Sequence, residues 1–137
     1  MNTIEEVRDY FRKDLYATET TGAEIEDARP GYAKIRCAID DRHRNARGAV
    51  MGGVYLTLAD FACGVAGNFN IGEEAPCVSA TLNMSFLTAA KGDVLFAEAR
   101  AVKSGKSLVY LHVDITDNLG ILVAQASGTN FRMTRRD

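Results

Sequence analysis

Tryptophan is absent from this 137-residue chain, histidine occurs twice and cysteine three times. The cysteines, Cys37, Cys63 and Cys77, are odd in number and form no Cys-x-x-Cys pair. That argues against a disulfide framework or a zinc ribbon and reads as small core thiols in a reducing cytoplasm. No apolar run approaches the roughly 20 residues that span a bilayer, so no transmembrane helix is expected. The start, Met1-Asn2-Thr3-Ile4-Glu5-Glu6, is acidic where a signal peptide is basic, so none is expected. A net charge of −2 gives no general attraction to nucleic acid or to an anionic membrane. There is no linker, internal repeat or low-complexity stretch. No His, Cys and Asp cluster has metal-ligand spacing, and no cofactor motif is present. No Gly-x-Ser-x-Gly elbow occurs, which excludes an α/β-hydrolase. Gly105-Lys106-Ser107 resembles the end of a phosphate-binding loop, but Arg100 stands where the partner glycine is needed.

What is present is an ordinary folding composition, 47 % apolar and 25 % charged, in a length that suits one domain over residues 1–137. Thr3 to about Tyr16 reads as an amphipathic helix. Thr3 and Glu6 fit a capping box, and Ile4, Val7, Phe11 and Leu15 share a face. Gly22 to Asp27 reads as a short strand and Arg29-Pro30-Gly31 as a turn. Tyr32 to Ile39 alternates as a half-buried strand, Asp40 to Arg47 reads as a polar loop, and a long helix runs to about Asn68. After a loop over 70–76, alternation continues almost without pause. Val78 to Phe86, Asp93 to Lys103, Ser107 to Asp117 and Ile121 to Met133 all read as strands joined by short turns. The reading is α+β: one long apolar helix wrapped by a curved, meandering antiparallel sheet of about five or six strands, plus a short N-terminal helix.

The segment Gly48-Ala49-Val50-Met51-Gly52-Gly53-Val54-Tyr55-Leu56-Thr57-Leu58-Ala59-Asp60 carries the chemistry. Backbone N–H groups at a helix start have no intrahelical partner, and the dipole is positive there. Gly52 and Gly53 leave those groups open to a ligand oxygen, as in an oxyanion hole. Close packing of the helix start against a strand selects glycine equally well. Asp60 lies on the helix's polar or small stripe, with Thr57, Gly64 and Asn68. A carboxylate buried among Leu56, Leu58, Ala59 and Phe61 is either a base or nucleophile with a tunable pKa, or a structural group with an N–H or arginine partner.

Eight residues at a rise of ~1.5 Å put Asp60 about 12 Å along the helix from Gly52. One small carbonyl cannot touch both on the same helix. If both act on one substrate, they come from two copies of the chain, with antiparallel helices side by side across a two-fold axis.

The ordered set Asn45-x-x-Gly48, Met51-Gly52-Gly53, Leu58-Ala59-Asp60 and Gly64 resembles the hotdog-fold acyl-CoA thioesterases of the phenylacetate-degradation (PaaI-like) type. The resemblance continues through Ala75-Pro76-Cys77-Val78-Ser79, Thr81-Leu82-Asn83, Gly92-Asp93, Ser104-Gly105-Lys106-Ser107 and Ala124-Gln125-Ala126. It implies the hotdog fold, homodimers often paired into tetramers, an acyl-CoA substrate and hydrolysis without metal or cofactor. By that resemblance Asp60 is the catalytic carboxylate and Gly52 supplies the N–H that polarises the thioester carbonyl. Asn45 orients water or substrate, and Ser79 helps position the water. Substrate contacts are expected from Met51, Gly53, Thr57, Thr81 and Asn83. The hairpin residues Lys103, Gly105, Lys106 and Ser107 are expected near the CoA nucleotide, although a solvated basic turn fits them as well.

One departure matters. The family usually has histidine directly before the glycine pair, and this chain has Met51. Methionine donates no hydrogen bond, so the side-chain contact to the thioester is lost while the Gly52 N–H remains. A slower enzyme, a shifted specificity or a non-catalytic acyl-CoA-binding module all follow from that change. A hydratase or dehydratase is disfavoured, since that chemistry generally pairs a histidine with the acid. His43, eight residues before Met51, is expected to be solvated in its loop, the alternative being that it folds back to compensate for the missing histidine; His112 is expected on the outer or interface side of its strand. Cys63, one turn from Asp60, reads as a core thiol rather than a nucleophile.

Overall fold

The computed structural model describes residues 1–69 and 76–133. The short helix α1 spans Ile4–Phe11, and the long helix α2 spans Gly52–Asn68. The strands are β1 Ala23–Arg29, β2 Tyr32–Ala38, β3 Cys77–Phe86, β4 Val94–Ser104, β5 Leu108–Asp117 and β6 Leu122–Arg132. They form one six-stranded sheet in the order β1-β2-β4-β5-β6-β3, with every pair antiparallel. This is the hotdog arrangement expected from the sequence. The meander covers only β4-β5-β6. Strand β3, which precedes them in the chain, pairs with β6 and becomes an edge.

Alternation explains the layers. Ala33, Ile35, Cys37, Leu95, Ala97, Ala99, Leu111, Val113 and Ile115 are almost fully buried on the concave face, against α2. Alanine at so many of these positions lets the helix sit close to the sheet. Gly128 shows how close: a Cβ there would lie 3.2 Å from the Cys63 sulfur. α2 answers with Leu58, Ala59, Ala62, Cys63, Val65 and Ala66, all nearly inaccessible. Truncating Leu58 to alanine would cost roughly 2–5 kcal/mol by the usual transfer and cavity terms.

The N-terminal helix is shorter than its sequence pattern suggests. Thr3 Oγ1 accepts from the Glu6 N–H, but the Glu6 carboxylate takes the Thr3 hydroxyl rather than closing the capping box. α1 buries Val7 and Phe11, and Phe11 meets Phe61 edge-on at 5.7 Å. Past Phe11 the chain turns, leaving Leu15 exposed instead of continuing the apolar face. A single π-helical turn, Tyr16–Thr21, follows and is ended by Gly22 at φ 90°. Asp40 to Arg47 is a loop as read, but with a 3-10 turn over Asp41–His43. The loop read over 70–76 lies, up to residue 75, outside the described residues. Among the described residues no helix is long and apolar enough to cross a membrane.

Candidate active site

Asp60 sits in the third turn of α2 and, contrary to the reading of a buried carboxylate, is exposed in the single chain. Its neighbours along the helix are buried, but its own side chain faces a cleft of about 310 Å³. The cleft is lined by Asp14, Tyr16, Ala17, Leu56, Thr57, Phe61 and Leu82. Its polar partner comes from β3: Ser79 Oγ donates to Asp60 Oδ1 at 2.5 Å. Two asparagines hold that strand against the helix. Asn68, in the last turn of α2, accepts from the Cys77 N–H at 2.9 Å and donates to the Gly64 carbonyl at 2.7 Å. Asn130, which pairs with Ser79 across β6, donates to the Cys63 carbonyl. Ser79 is therefore placed by both flanking contacts, two residues beyond one clamp and beside the other.

The other end of α2 is bare. Met51 occupies the N-cap with no side-chain hydrogen bond, and its own N–H goes back to the His43 carbonyl at 2.9 Å. Among the described residues neither the Gly52 nor the Gly53 N–H meets an acceptor. The two glycines differ. A Cβ on Gly52 would lie 3.1 Å from the Phe86 ring, whereas a Cβ on Gly53 would touch nothing within 4 Å. Tight packing thus accounts for Gly52 and open access for Gly53, and both N–H groups stay available. A second cleft, about 290 Å³, opens beside them, lined by Val50, Gly52, Tyr55, Phe86, Leu87, Thr88 and Ala89.

Asn45 organises the loop before the helix. Its side-chain carbonyl accepts from the Arg47 and Ala49 N–H groups at 3.0 and 3.2 Å, an Asx turn in which the amide nitrogen has no acceptor among the described residues. Thr57 turns back on the helix, donating to the Gly53 carbonyl at 2.9 Å, on the wall of the Asp60 cleft. Met51 is 54 % exposed beside Gly52.

Not every candidate gathers there. Thr81 pairs with Thr129, and Asn83 with Ser127, on the face of the sheet away from α2. A bulge between Ser79 and Thr81 separates them from Ser79. Lys103, Gly105, Lys106 and Ser107 form the β4–β5 hairpin, at the C-terminal end of α2 and away from Gly52. Both lysines are exposed, and Arg132 anchors the hairpin through the Gly105 carbonyl and the Ser104 hydroxyl. His112 is on the outer face as expected, with Nε2 2.8 Å from Asp114 Oδ1. His43 is not solvated: it is 3 % exposed. Sequence reading missed this because its partners are the Thr21 carbonyl and the Asp40 N–H, which any residues would supply.

Cys63 is a poor nucleophile. Burial, with the Asp60 charge adding to it, pushes its thiol up to about 12. Burial likewise pushes Cys37 to about 11. At neutral pH both stay protonated.

A carboxylate with an ordered hydroxyl beside it, and bare N–H groups at a helix start, are parts for attack on a carbonyl and stabilisation of the resulting oxyanion. The sequence model of the Thioesterase superfamily matches residues 47–124. Acyl-coenzyme A thioesterase 13 of Homo sapiens is 33 % identical over 107 residues, covering 77 % of this chain and 76 % of its own. The crystal structure of a thioesterase family protein from Silicibacter pomeroyi superposes with a TM-score of 0.86 at 26 % identity, covering 95 % of this chain and 97 % of its own. A single-site mutant of the phenylacetic acid degradation protein PaaI from Thermus thermophilus superposes at 0.77 and 26 % identity, covering 85 % and 97 %. The chain belongs to the thioesterase superfamily. It is a hotdog-fold thioester hydrolase.

Proposed function

We propose that this protein hydrolyses an acyl-CoA thioester to the free acid and CoA, in sites shared between two copies of the chain. The carrying observation is the pair of half-sites on one helix. Asp60 with its Ser79 partner lies eight residues, about 12 Å of helix rise, from the free Gly52 N–H. Neither half can reach the other's reacting atom within one chain. Two chains packed with α2 antiparallel would bring Asp60 and Ser79 of one protomer opposite Asn45, Met51, Gly52 and Gly53 of its partner.

In that site Asp60 takes a proton from a water as the water oxygen bonds to the thioester carbon. The carbonyl oxygen becomes an oxyanion held by the Gly52 N–H. As the carbonyl reforms, the carbon–sulfur bond breaks and CoA leaves as the thiolate. Direct attack by an Asp60 oxygen, through an anhydride that water then opens, uses the same groups. Residues 1–137 act as a single catalytic domain, and the acyl-CoA class is inferred from the human relative's name together with the matching residues. Pairing of dimers into tetramers and a cytoplasmic setting are part of the same reading, the latter supported by three buried free thiols.

The test is thiol release across short, long and aromatic acyl-CoAs for wild type, Asp60→Ala and Asn45→Ala. Asp60→Ala should abolish turnover with acyl-CoA binding largely kept. Mixing Asp60→Ala and Asn45→Ala chains should restore activity, because half of randomly paired dimers hold one intact site. That is about a quarter of the wild-type sites. Tight acyl-CoA binding by wild type without thiol release would instead identify a binding module. Failure of the mixture to recover would place each site within one chain.

A further inference from the structure

We infer that His43 is a positioning residue whose neutral imidazole braces the loop carrying Asn45 and the Gly52 N–H. The inference rests on the reading above for what those two groups do, and on geometry for the brace.

The side chain is 2 % exposed. Nδ1 lies 3.0 Å from the Asp40 backbone nitrogen, and Nε2 lies 2.6 Å from the Thr21 carbonyl oxygen. A backbone N–H only donates and a carbonyl only accepts. Asp40 Oδ1 also approaches Nδ1, at 3.3 Å, but the backbone N–H is nearer and can only donate, so the ring accepts at Nδ1 and donates at Nε2, the neutral Nε2–H tautomer. One ring thus ties the end of the π-helical turn, at Thr21, to the start of the 3-10 turn, at Asp40.

The backbone of the same residue continues the chain of contacts. The His43 carbonyl accepts the Met51 N–H at 2.9 Å, Arg44 bridges to Val50, and the Asn45 N–H donates to Ala49 at 2.8 Å. Residues 43–51 thus form a small closed loop with His43 at its base, Asn45 near its tip and Gly52 just beyond its end. Its anchoring side chain is buried while Arg44, Arg47 and Gly48 are exposed. Without the ring, the loop keeps its internal bonds and the exposed contact from Arg42 Nη1 to the Glu19 carbonyl at 3.4 Å, but loses its buried attachment to Thr21. A rigid loop that shifts by about an ångström carries Asn45 and Gly52 with it, and such displacements cost turnover by about a hundredfold in sensitive sites. His43 therefore serves the reaction without touching substrate.

The experiment compares His43→Gln, which offers an acceptor and a donor, with His43→Phe, which fills the space and offers neither. Each is made alone and with Asn45→Ala. Turnover is read as thiol release at a temperature where circular dichroism shows every variant folded. Amide hydrogen exchange is read over residues 43–54. Imidazole nitrogen chemical shifts are read in the wild type. The expected result is the Nε2–H tautomer in the wild type, with kcat down at least about tenfold and KM changed less in His43→Phe. His43→Gln should recover most of kcat. Exchange should be faster in His43→Phe within 43–54 and unchanged in β4 and β5. His43→Phe should add little to Asn45→Ala, because the two act as one unit. Unchanged exchange at 43–54, the other tautomer, or effects of the two changes that multiply would overturn the inference. If the wild type releases no thiol, the proposed function fails, and the tautomer and exchange still decide whether His43 is the brace.

Discussion

Ser79 Oγ donates a 2.5 Å hydrogen bond to Asp60 Oδ1, joining an edge strand to the middle of the long helix. The bond occupies one carboxylate oxygen and leaves the other facing the cleft. Ser79→Ala should lower kcat about tenfold with KM nearly unchanged, since it removes an orienting contact and not the base. Asp60→Asn should cost at least about a hundredfold. Steady-state kinetics on one acyl-CoA for both variants make the comparison, and equal losses would mean that the hydroxyl itself takes part in proton transfer.

Gly52→Ala and Gly53→Ala should separate cleanly. The first puts a methyl 3.1 Å from the Phe86 ring, while the second meets open space. Alanine is favoured over glycine in a helix by about 1 kcal/mol, so Gly53→Ala should hold or raise Tm. Gly52→Ala should lower it, and Phe86→Ala should remove that penalty in the double variant. Calorimetry on the wild type, the three single variants and the double variant decides. A Gly52→Ala protein as stable as Gly53→Ala would show that the ring moves aside freely.

Asp117 should make stability depend on pH. It is 2 % exposed and accepts four backbone N–H groups, from Lys91, Gly92, Leu119 and Ile121, at 2.9–3.0 Å. Burial works against its ionisation, but those donors outweigh it and hold the carboxyl below its ordinary value. A depressed folded-state pKa contributes stability that is present above the unfolded carboxyl's pKa, about 3.9, and is lost as pH falls through the lower folded value. Asp117→Asn should therefore destabilise by on the order of 2 kcal/mol at pH 7. The gap should shrink below about pH 4, in urea titrations across that range. A gap independent of pH would assign the loss to shape rather than charge.

Met51→His should fold normally, because the side chain it replaces is 54 % exposed at an N-cap that makes no side-chain hydrogen bond. Restoring a donor beside Gly52 should raise turnover about tenfold on the substrate the wild type handles best. Unchanged turnover there, with a gain on other acyl groups, would mark Met51 as a specificity adaptation.

The sequence made the layers legible but not their order. Alternation in Val109, Leu111, Val113 and Ile115 says which face is buried, and all four are. It says nothing about neighbours, so the transfer of β3 to the far side of β6 was invisible. The long helix was readable to Asn68 because an all-apolar stretch has few alternatives. The π-helical turn Tyr16–Thr21 was not, because Tyr-Ala-Thr-Glu-Thr-Thr has no apolar period. Asp60 was read as a buried carboxylate, and that burial was misjudged. Its neighbours in the helix are buried, but its own face opens to a cleft that Ser79 reaches from another element. Gly52 was ambiguous from sequence, since packing and access both select glycine; Phe86, far along the chain on β3, separates the two.

The uncapped start of α2 sets a limit for anyone who tries to make this protein more heat-resistant. Serine or aspartate at position 51 would satisfy the idle N–H groups and add about 1 kcal/mol to helix stability. The same hydroxyl or carboxylate would occupy the donors that the proposed mechanism gives to an oxyanion, and aspartate would also place a negative charge where that mechanism forms one. The helix tolerates its bare end because ten of its seventeen residues are buried. Thermal robustness is better sought in the outer loops than at a helix terminus whose open donors the proposed mechanism uses.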